Sequence, residues 1–394
     1  MATEVGPNAI REISSLPLAL LPMRGFETMG TMVNDYLVQW ATEPCGEFIS
    51  RFPGYGGNSF ILDAECSRFG TGEGKGVIHK SVRGRDLYIL CDVTNYSETY
   101  RMYGTESPMS PDDYFQDLKR LIAAAGNKPE RVSVIMPFLY EGRQHRRNAR
   151  ESLDCALALK ELVDMGVENI ITFDAHDPRV QNSVPLSNFD NVQPTYQMLK
   201  KLFKIHPDLK VNKDHLMVIS PDEGAAGRNI YYATMMGLDL GLFYKRRDYS
   251  RVVNGRNPIV AHEYLGDSVE GKDCIIADDI LSTGDSMLDL ARELKRRKAG
   301  RVFLAVTFAL FTEGLEPFDK AYEEGLFDTL LATNLNYLNP ELKTRPWFGE
   351  VNMAKYVALL IATLNHDRSI SKLLNPSERI DALLERHHNA QATE

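Results

Sequence analysis

Short apolar runs bounded by polar turns alternate along the chain with stretches in which apolar residues return every three or four positions. From residue 85 onward the rhythm is regular. Residues 85–93 (RDLYILCDV), 131–137 (RVSVIMP) and 168–176 (ENIITFDAH) read as buried strands. Residues 114–125 and 150–165 read as helices, the second with Leu153, Leu157, Leu159 and Leu162 on one broad apolar face. Continuously apolar strands alternating with helices predict an α/β fold, a mostly parallel sheet covered on both faces. Residues 185–194, polar and with a proline at each end, read as a crossing between domains.

The rhythm then restarts: helix 192–205, strand 216–221, helix 226–236 and strands 241–245 and 273–279, then helix 285–298 and strand 301–308. The helix at 285 has the clearest signals. Ser282 and Thr283 precede it, Met287, Leu290, Ala291 and Leu294 share a face, and Lys295, Arg296, Arg297 and Lys298 end it. Gly300 is the expected stop. A last helical pattern over 353–364 leads into a charged tail expected to fray. These signals predict an N-terminal extension (1–45), two tandem α/β domains (46–190 and 191–350), and a C-terminal helix and tail (351–394) packing on the first of them.

Composition narrows the class. Of 394 residues 43% are apolar and 25% charged, and the mean hydropathy is −0.28, ordinary for a globular chain. No apolar run reaches the roughly 18–20 residues of a membrane span, and no basic-then-apolar start reads as a secretory signal. A net charge of −9, from 45 basic and 54 acidic residues, argues against binding nucleic acid backbones. Five scattered cysteines without paired spacing argue against structural zinc or a disulfide framework and fit a reducing cytoplasm.

Five motifs carry candidate chemistry. In 275–286 (IIADDILSTGDS) an apolar strand ends in Asp278 and Asp279, and a Ser, Thr and Gly loop opens the next helix. Loop and helix amides can hold a phosphate there, while the two acids suit sugar hydroxyls or a hydrated divalent cation. Residues 137–147 (PFLYEGRQHRR) bring several basic groups off a strand end, suited to polyphosphate oxygens but also to a solvated basic loop. Residues 244–248 (YKRRD) cluster cations at another strand end, ahead of a polar stretch, 249–258, able to serve as a loop that closes. Residues 173–179 (FDAHDPR) set His176 just past a strand, by itself more often a structural place than a ligand's. Residues 68–73 (RFGTGE) read alone as a glycine-containing turn.

Taken together, these motifs resemble the ribose-phosphate pyrophosphokinase family, with the type I phosphoribosyltransferase fold in two tandem domains. The resemblance runs from about residue 68 to about residue 373. It implies transfer of pyrophosphate from ATP to the 1-hydroxyl of ribose 5-phosphate, giving phosphoribosyl pyrophosphate (PRPP) and AMP, with Mg2+ as cofactor. It assigns Lys245 and Arg247 to catalysis, and Phe69, Thr71, Glu73, Arg143, Gln144, His145 and His176 to ATP. It assigns Asp278, Asp279, Ser282, Thr283, Gly284 and Ser286 to ribose 5-phosphate, and His176 and Asp222 to the metal. A homo-oligomer, hexameric or built from dimers, is implied, with part of the adenine pocket reached from a neighbouring subunit. Ser81 and Arg83 match part of an interface at which many members respond to phosphate and ADP.

The chain departs from the family pattern at four places: Thr71, His145 and Ser282 stand where aspartate is usual, and Asp285 where glycine is. The departures at 282 and 285 leave room for a different ribose-phosphate acceptor. Two further readings are a catalytically silent nucleotide-binding regulator and a phosphoribosyltransferase that consumes PRPP. Retention of the groups the chemistry needs argues against the first, and the presence of an additional α/β domain, the N-terminal one bearing Arg143, Gln144 and His176, argues against the other.

Overall fold

The computed structural model describes residues 16–42, 58–247 and 259–393. Two compact units emerge: residues 1–192 with 353–375, and residues 193–352 with 376–394. Each is an α/β layer around its own sheet, in line with the two tandem α/β domains expected from the sequence.

The first sheet has five strands, all parallel, in the spatial order Leu18–Pro22, Asp86–Leu90, Arg131–Ile135, Asn169–Phe173 and Asn188–Val192. Leu20 faces Tyr88, Tyr88 faces Ser133, and Ser133 faces Asn169 across the ladder. The Asp86–Leu90 and Asn169–Phe173 strands are buried throughout, as strands covered on both faces must be. The helix Pro111–Ala125 opens on a capping box: the Asp113 amide donates to Ser110 Oγ at 3.2 Å and the Ser110 amide to Asp113 Oδ2 at 2.9 Å. The helices Glu27–Thr42 and Ala354–Asn365 pack on each other.

One buried ion pair ties this unit's chain ends together. Arg131 Nε and Nη2 donate to the two oxygens of the fully buried Asp86 at 2.8 and 2.7 Å. The same guanidinium reaches the Leu364 carbonyl at 3.0 Å and Asp367 at 2.7 Å. Asn365 adds a bond to Asp86 at 2.9 Å and another to the Leu16 carbonyl at 3.0 Å.

The second sheet has seven strands in the order Ile259–Leu265, Leu240–Arg247, Leu216–Ser220, Asp273–Leu281, Val302–Ala309, Thr329–Thr333 and Phe348–Val351. All neighbours run parallel except the antiparallel pair of the first two. The Asp273–Leu281 strand sits at its centre. Among the described residues no helix is long and apolar enough to cross a membrane.

Several sequence expectations need correction. Residues 16–42 are not an extension: Leu18–Pro22 is the edge strand of the first sheet and Glu27–Thr42 covers it. The crossing expected at 185–194 contains the edge strand Asn188–Val192, most of whose residues are only partly buried. In the helix Asp154–Asp164 the buried positions are Cys155, Ala158, Leu159 and Leu162, while Leu157 turns outward at 54% exposure. The helix Asp285–Arg296 ends through Lys298, at φ 61°, rather than at Gly300. Of the C-terminal segment, residues 353–375 join the first unit as expected, but the rest departs from the expectation of a frayed tail. The helix Ser377–Thr393 belongs to the second, where His387 stacks on Phe203 at 4.4 Å and meets the Leu209 carbonyl at 2.7 Å.

Arg131→Ala strands the buried Asp86 carboxylate and is expected to cost about 3–5 kcal/mol. With Trp347 replaced by Phe, Trp40 reports the first unit alone, and its urea transition should move to markedly lower urea. The Asp86→Leu/Arg131→Met double variant should lose less, because no charge is left unpaired.

Candidate active site

The second unit gathers its chemistry where the Asp273–Leu281 strand leaves the sheet. Pairing with Leu216–Ser220 reaches only Ile276, and there the fully buried Asn229 takes over. Its Nδ2 donates to the Ala277 carbonyl at 2.8 Å, and the Ala277 amide donates to its Oδ1 at 3.2 Å. One amide side chain replaces a residue of ladder, which holds the next two positions, Asp278 and Asp279, clear of the neighbouring strand. Neither the clamp nor Arg228 beside it had a signal in the sequence.

Arg228 Nη1 lies 3.3 Å from Asp278 Oδ1 and its Nη2 lies 3.5 Å from Asp279 Oδ1. One guanidinium thus answers two carboxylates. Burial, then the charge of Asp279, pushes the Asp278 carboxyl well above the ordinary aspartate range. Asp222 turns its Oδ1 to the Ala225 amide at 3.1 Å and adds to the negative field on Asp278.

The loop after the strand is pinned by its neighbour. The Leu310 amide donates to the Leu281 carbonyl at 2.8 Å and the Thr312 amide to the Ser282 carbonyl at 3.0 Å. Gly284 then turns at φ 90° and caps the helix Asp285–Arg296 without any side-chain cap. A Cβ at this position would stand 2.1 Å from Cζ of Phe318, so glycine is required twice over. Thr283 is half-buried, whereas Asp285 and Ser286 are exposed at the first turn.

Lys245 and Arg247 lie at the end of the strand Leu240–Arg247, opposite His262 and Ile259, with a register shift between Arg246 and Arg247. The stretch 249–258, read as a closing loop, lies outside the described residues.

The first unit brings a second group together past the strand Asn169–Phe173. His145 Nε2 lies 3.3 Å from Asp177 Oδ2, and its ring is 5.5 Å from that of His176. His145 Nδ1 is buried without a hydrogen-bond partner. Hydrogen bonds from Arg179, Nη2 at 2.5 Å and Nε at 2.9 Å, hold the Asp177 carboxyl down at about 2. The aspartate usual at 145 is thus replaced by a partner for an aspartate at 177. Gln144 is turned into its own loop, donating to the Ser152 carbonyl at 2.8 Å, while Arg143 and His176 are exposed. Phe69, Thr71 and Glu73 form the tip of the hairpin of Ala64–Arg68 and Gly74–Ile78. There Thr71 donates to Glu73 at 2.8 Å and Phe69 is 58% exposed.

Among the described residues no three metal-binding side chains converge into a cage. The donor set nonetheless suits magnesium, which keeps waters and takes much of its shell from substrate phosphates. Within the second unit, the crowded Asp278 and Asp279 carboxylates, with Asp222 adding to their field, suit a hydrated cation nearby.

Because native Asp278 keeps its proton to higher pH than the ordinary value of 3.8, the native state binds more protons than the unfolded one, and the site loses stability as pH rises. Asp278→Asn should therefore raise the melting temperature at pH 8, by about 2–4 °C, and change it little at pH 4, as read by calorimetry. Gly284→Ala should destabilise the second unit by more than the roughly 1–2 kcal/mol of the left-handed backbone alone. Phe318→Leu in that background should recover only the steric part, followed through Trp347, which stacks on Phe318 at 5.9 Å.

Comparison with known proteins agrees with this geometry. Residues 31–166 match the family model for the N-terminal domain of ribose phosphate pyrophosphokinase, and residues 186–324 match that for a phosphoribosyl transferase domain. The first match begins well before residue 68, again placing the helix Glu27–Thr42 inside the domain. A ribose-phosphate pyrophosphokinase of Vibrio cholerae serotype O1 is 28% identical over 79% of this chain and 91% of its own. One from Chromobacterium violaceum is 29% identical over 79% of this chain and 87% of its own. The crystal structure of phosphoribosylpyrophosphate synthetase from Mycobacterium smegmatis superposes with a TM-score of 0.69 at 19% identity, covering 89% of this chain and 99% of that one, a likeness of fold. With two adjoining domain matches that together span most of the chain, this protein belongs to the ribose-phosphate pyrophosphokinase family.

Proposed function

We propose that the protein is a ribose-phosphate diphosphokinase, transferring the pyrophosphoryl group of ATP to the 1-hydroxyl of ribose 5-phosphate to give PRPP and AMP. One observation carries this reading: the Asp278–Asp279 strand end and its Thr-Gly loop occur in a chain whose other unit matches a pyrophosphokinase N-terminal domain. A phosphoribosyltransferase that only consumes PRPP has no use for that additional N-terminal unit.

In this reading the units divide the work. The first binds ATP through Arg143, Gln144, His145 and His176, with Phe69, Thr71 and Glu73 serving the adenine of ATP held by a neighbouring copy in a homo-oligomer. An exposed Phe69 at a hairpin tip supports that role, since a large aromatic in water gains by being covered. In the second unit Asp278 and Asp279 accept hydrogen bonds from the ribose hydroxyls, and Arg228 holds both carboxylates in place. Thr283, Gly284 and Ser286, with Ser282 behind them, take the 5-phosphate at the helix N-terminus, where amides and the helix dipole favour an anion.

The attacking 1-hydroxyl meets the β-phosphorus of ATP, the bond to the α-phosphate oxygen breaks, and AMP leaves with that oxygen. Such a transfer depends on positioning and charge neutralisation more than on covalent catalysis. Lys245 and Arg247 neutralise charge building on the transferred group. Magnesium, when bound, would supply further charge neutralisation, and His176 and Asp222 are the residues that the resemblance assigns to it.

Incubation with Mg2+, ATP and ribose 5-phosphate should yield AMP and PRPP in equal amounts by chromatography, and none without the sugar phosphate. Lys245→Ala should lower turnover by orders of magnitude with ATP binding largely kept; near-normal turnover would remove Lys245 from catalysis. ATP binding without AMP release in the unmodified protein would favour a regulatory homologue.

A further inference from the structure

The acceptor loop carries its own anion. Residues 282–286 read STGDS and include no basic side chain. Thr283 Oγ1 donates to Asp285 Oδ2 at 3.0 Å, and the Asp285 amide donates back to Thr283 Oγ1 at 3.4 Å. A hydroxyl has one proton to give, and here it goes to a carboxylate of the same loop. The first amide of the helix Asp285–Arg296 is turned into the same ring of contacts. Two of the donors a phosphate would use at this helix end are thus engaged by Asp285, and its charge repels an incoming dianion. The nearby cation, Arg228, is already shared between Asp278 and Asp279. The loop cannot swing the carboxylate away by rotating its backbone, since Gly284 is held at φ 90° against Phe318 and the Ser282 carbonyl is bonded to the Thr312 amide.

We propose that Asp285 is a specificity-determining residue of the acceptor site, an internal anion that must be displaced from Thr283 before a sugar phosphate monoester can seat. The proposal rests on the reading of this loop as the acceptor site given above. Its consequence is weak capture of ribose 5-phosphate for a site of this shape, set by one exposed side chain and not by the fold. Asparagine at 285 keeps an acceptor for Thr283 and removes only the charge, whereas glycine removes both, so the two variants separate repulsion from competition for the hydroxyl.

The test is calorimetric titration of the full chain and its variants with ribose 5-phosphate. Asp285→Asn should bind it several-fold more tightly, and Asp285→Gly about tenfold more tightly or better. Adding Thr283→Val to the glycine variant should return the part of that gain beyond the asparagine variant's, which the freed hydroxyl supplies. Thermal melting provides the control. Asp285→Gly removes an acid from a helix N-terminus and adds a glycine to the helix, so it should melt lower while binding more tightly. A purely structural role for Asp285 would weaken binding along with stability.

Unchanged or weaker binding in both variants overturns the proposal, as does undetectable binding in every form. AMP and PRPP measured on the same samples keep the two readings apart. Product formed with affinities that do not respond to residue 285 overturns the role of Asp285 and leaves the synthetase reading standing. Tighter binding in the variants with no AMP from any form does the reverse.

Discussion

The backbone at Gly284, left-handed and pressed against the face of Phe318, is the constraint from which the acceptor side of the second unit is built. A strand that ends in the middle of a parallel sheet must turn sharply before the next helix, and any side chain at this turn would meet an aromatic ring. With the turn fixed, the helix Asp285–Arg296 points its N-terminal amides at the space beyond the strand end, where an anion is favoured. The aromatic cluster behind the turn extends this rigidity. Phe311, Phe318 and Trp347 lie within ring contact of one another, so the loop rests on packed core and not on solvent.

Ahead of the turn the structure accepts an electrostatic cost. Asp278 and Asp279 project side by side because Asn229 replaces the neighbouring strand at Ala277, and a single guanidinium has to balance them. A sequence selected for stability alone would not place a carboxylate such as Asp278 where burial and a neighbouring acid raise the energy of its charged form. Asp285, at the first turn of the following helix, is exposed and bonded to Thr283.

The first unit handles charge differently. Asp86 and Arg131 are paired bidentately in its core, with Asn365 and the Leu364 carbonyl completing the shell, so the buried charge is fully answered. At its strand ends His145 and Arg179 share Asp177, which keeps the residue after His176 in one place.

Much of the architecture was legible along the chain. Apolar runs at 85–93, 131–137, 216–221 and 301–308 announced buried parallel strands, because a strand covered on both faces has no polar side to interrupt the pattern. The IIADDILSTGDS motif likewise located the strand end, loop and helix from local spacing. What escaped the sequence was everything with only one covered face or a distant partner. Asn188–Val192 is polar enough to pass for a linker, and the hairpin around Phe69 has no apolar alternation. The C-terminal helix belongs to the second unit through bonds from His387 and Gln391 to the Leu209 carbonyl, nearly two hundred residues away in sequence. The same holds within the site. The sequence determined which residues stand at 278, 279 and 283–286, because adjacency along the chain suffices for that. Only the tertiary structure decided that Asn229 and Arg228 hold the acids, that Phe318 fixes Gly284, and that His145 meets Asp177. Those pairings join segments whose separation carries no local pattern, and burial against a common sheet alone brings them within bonding distance.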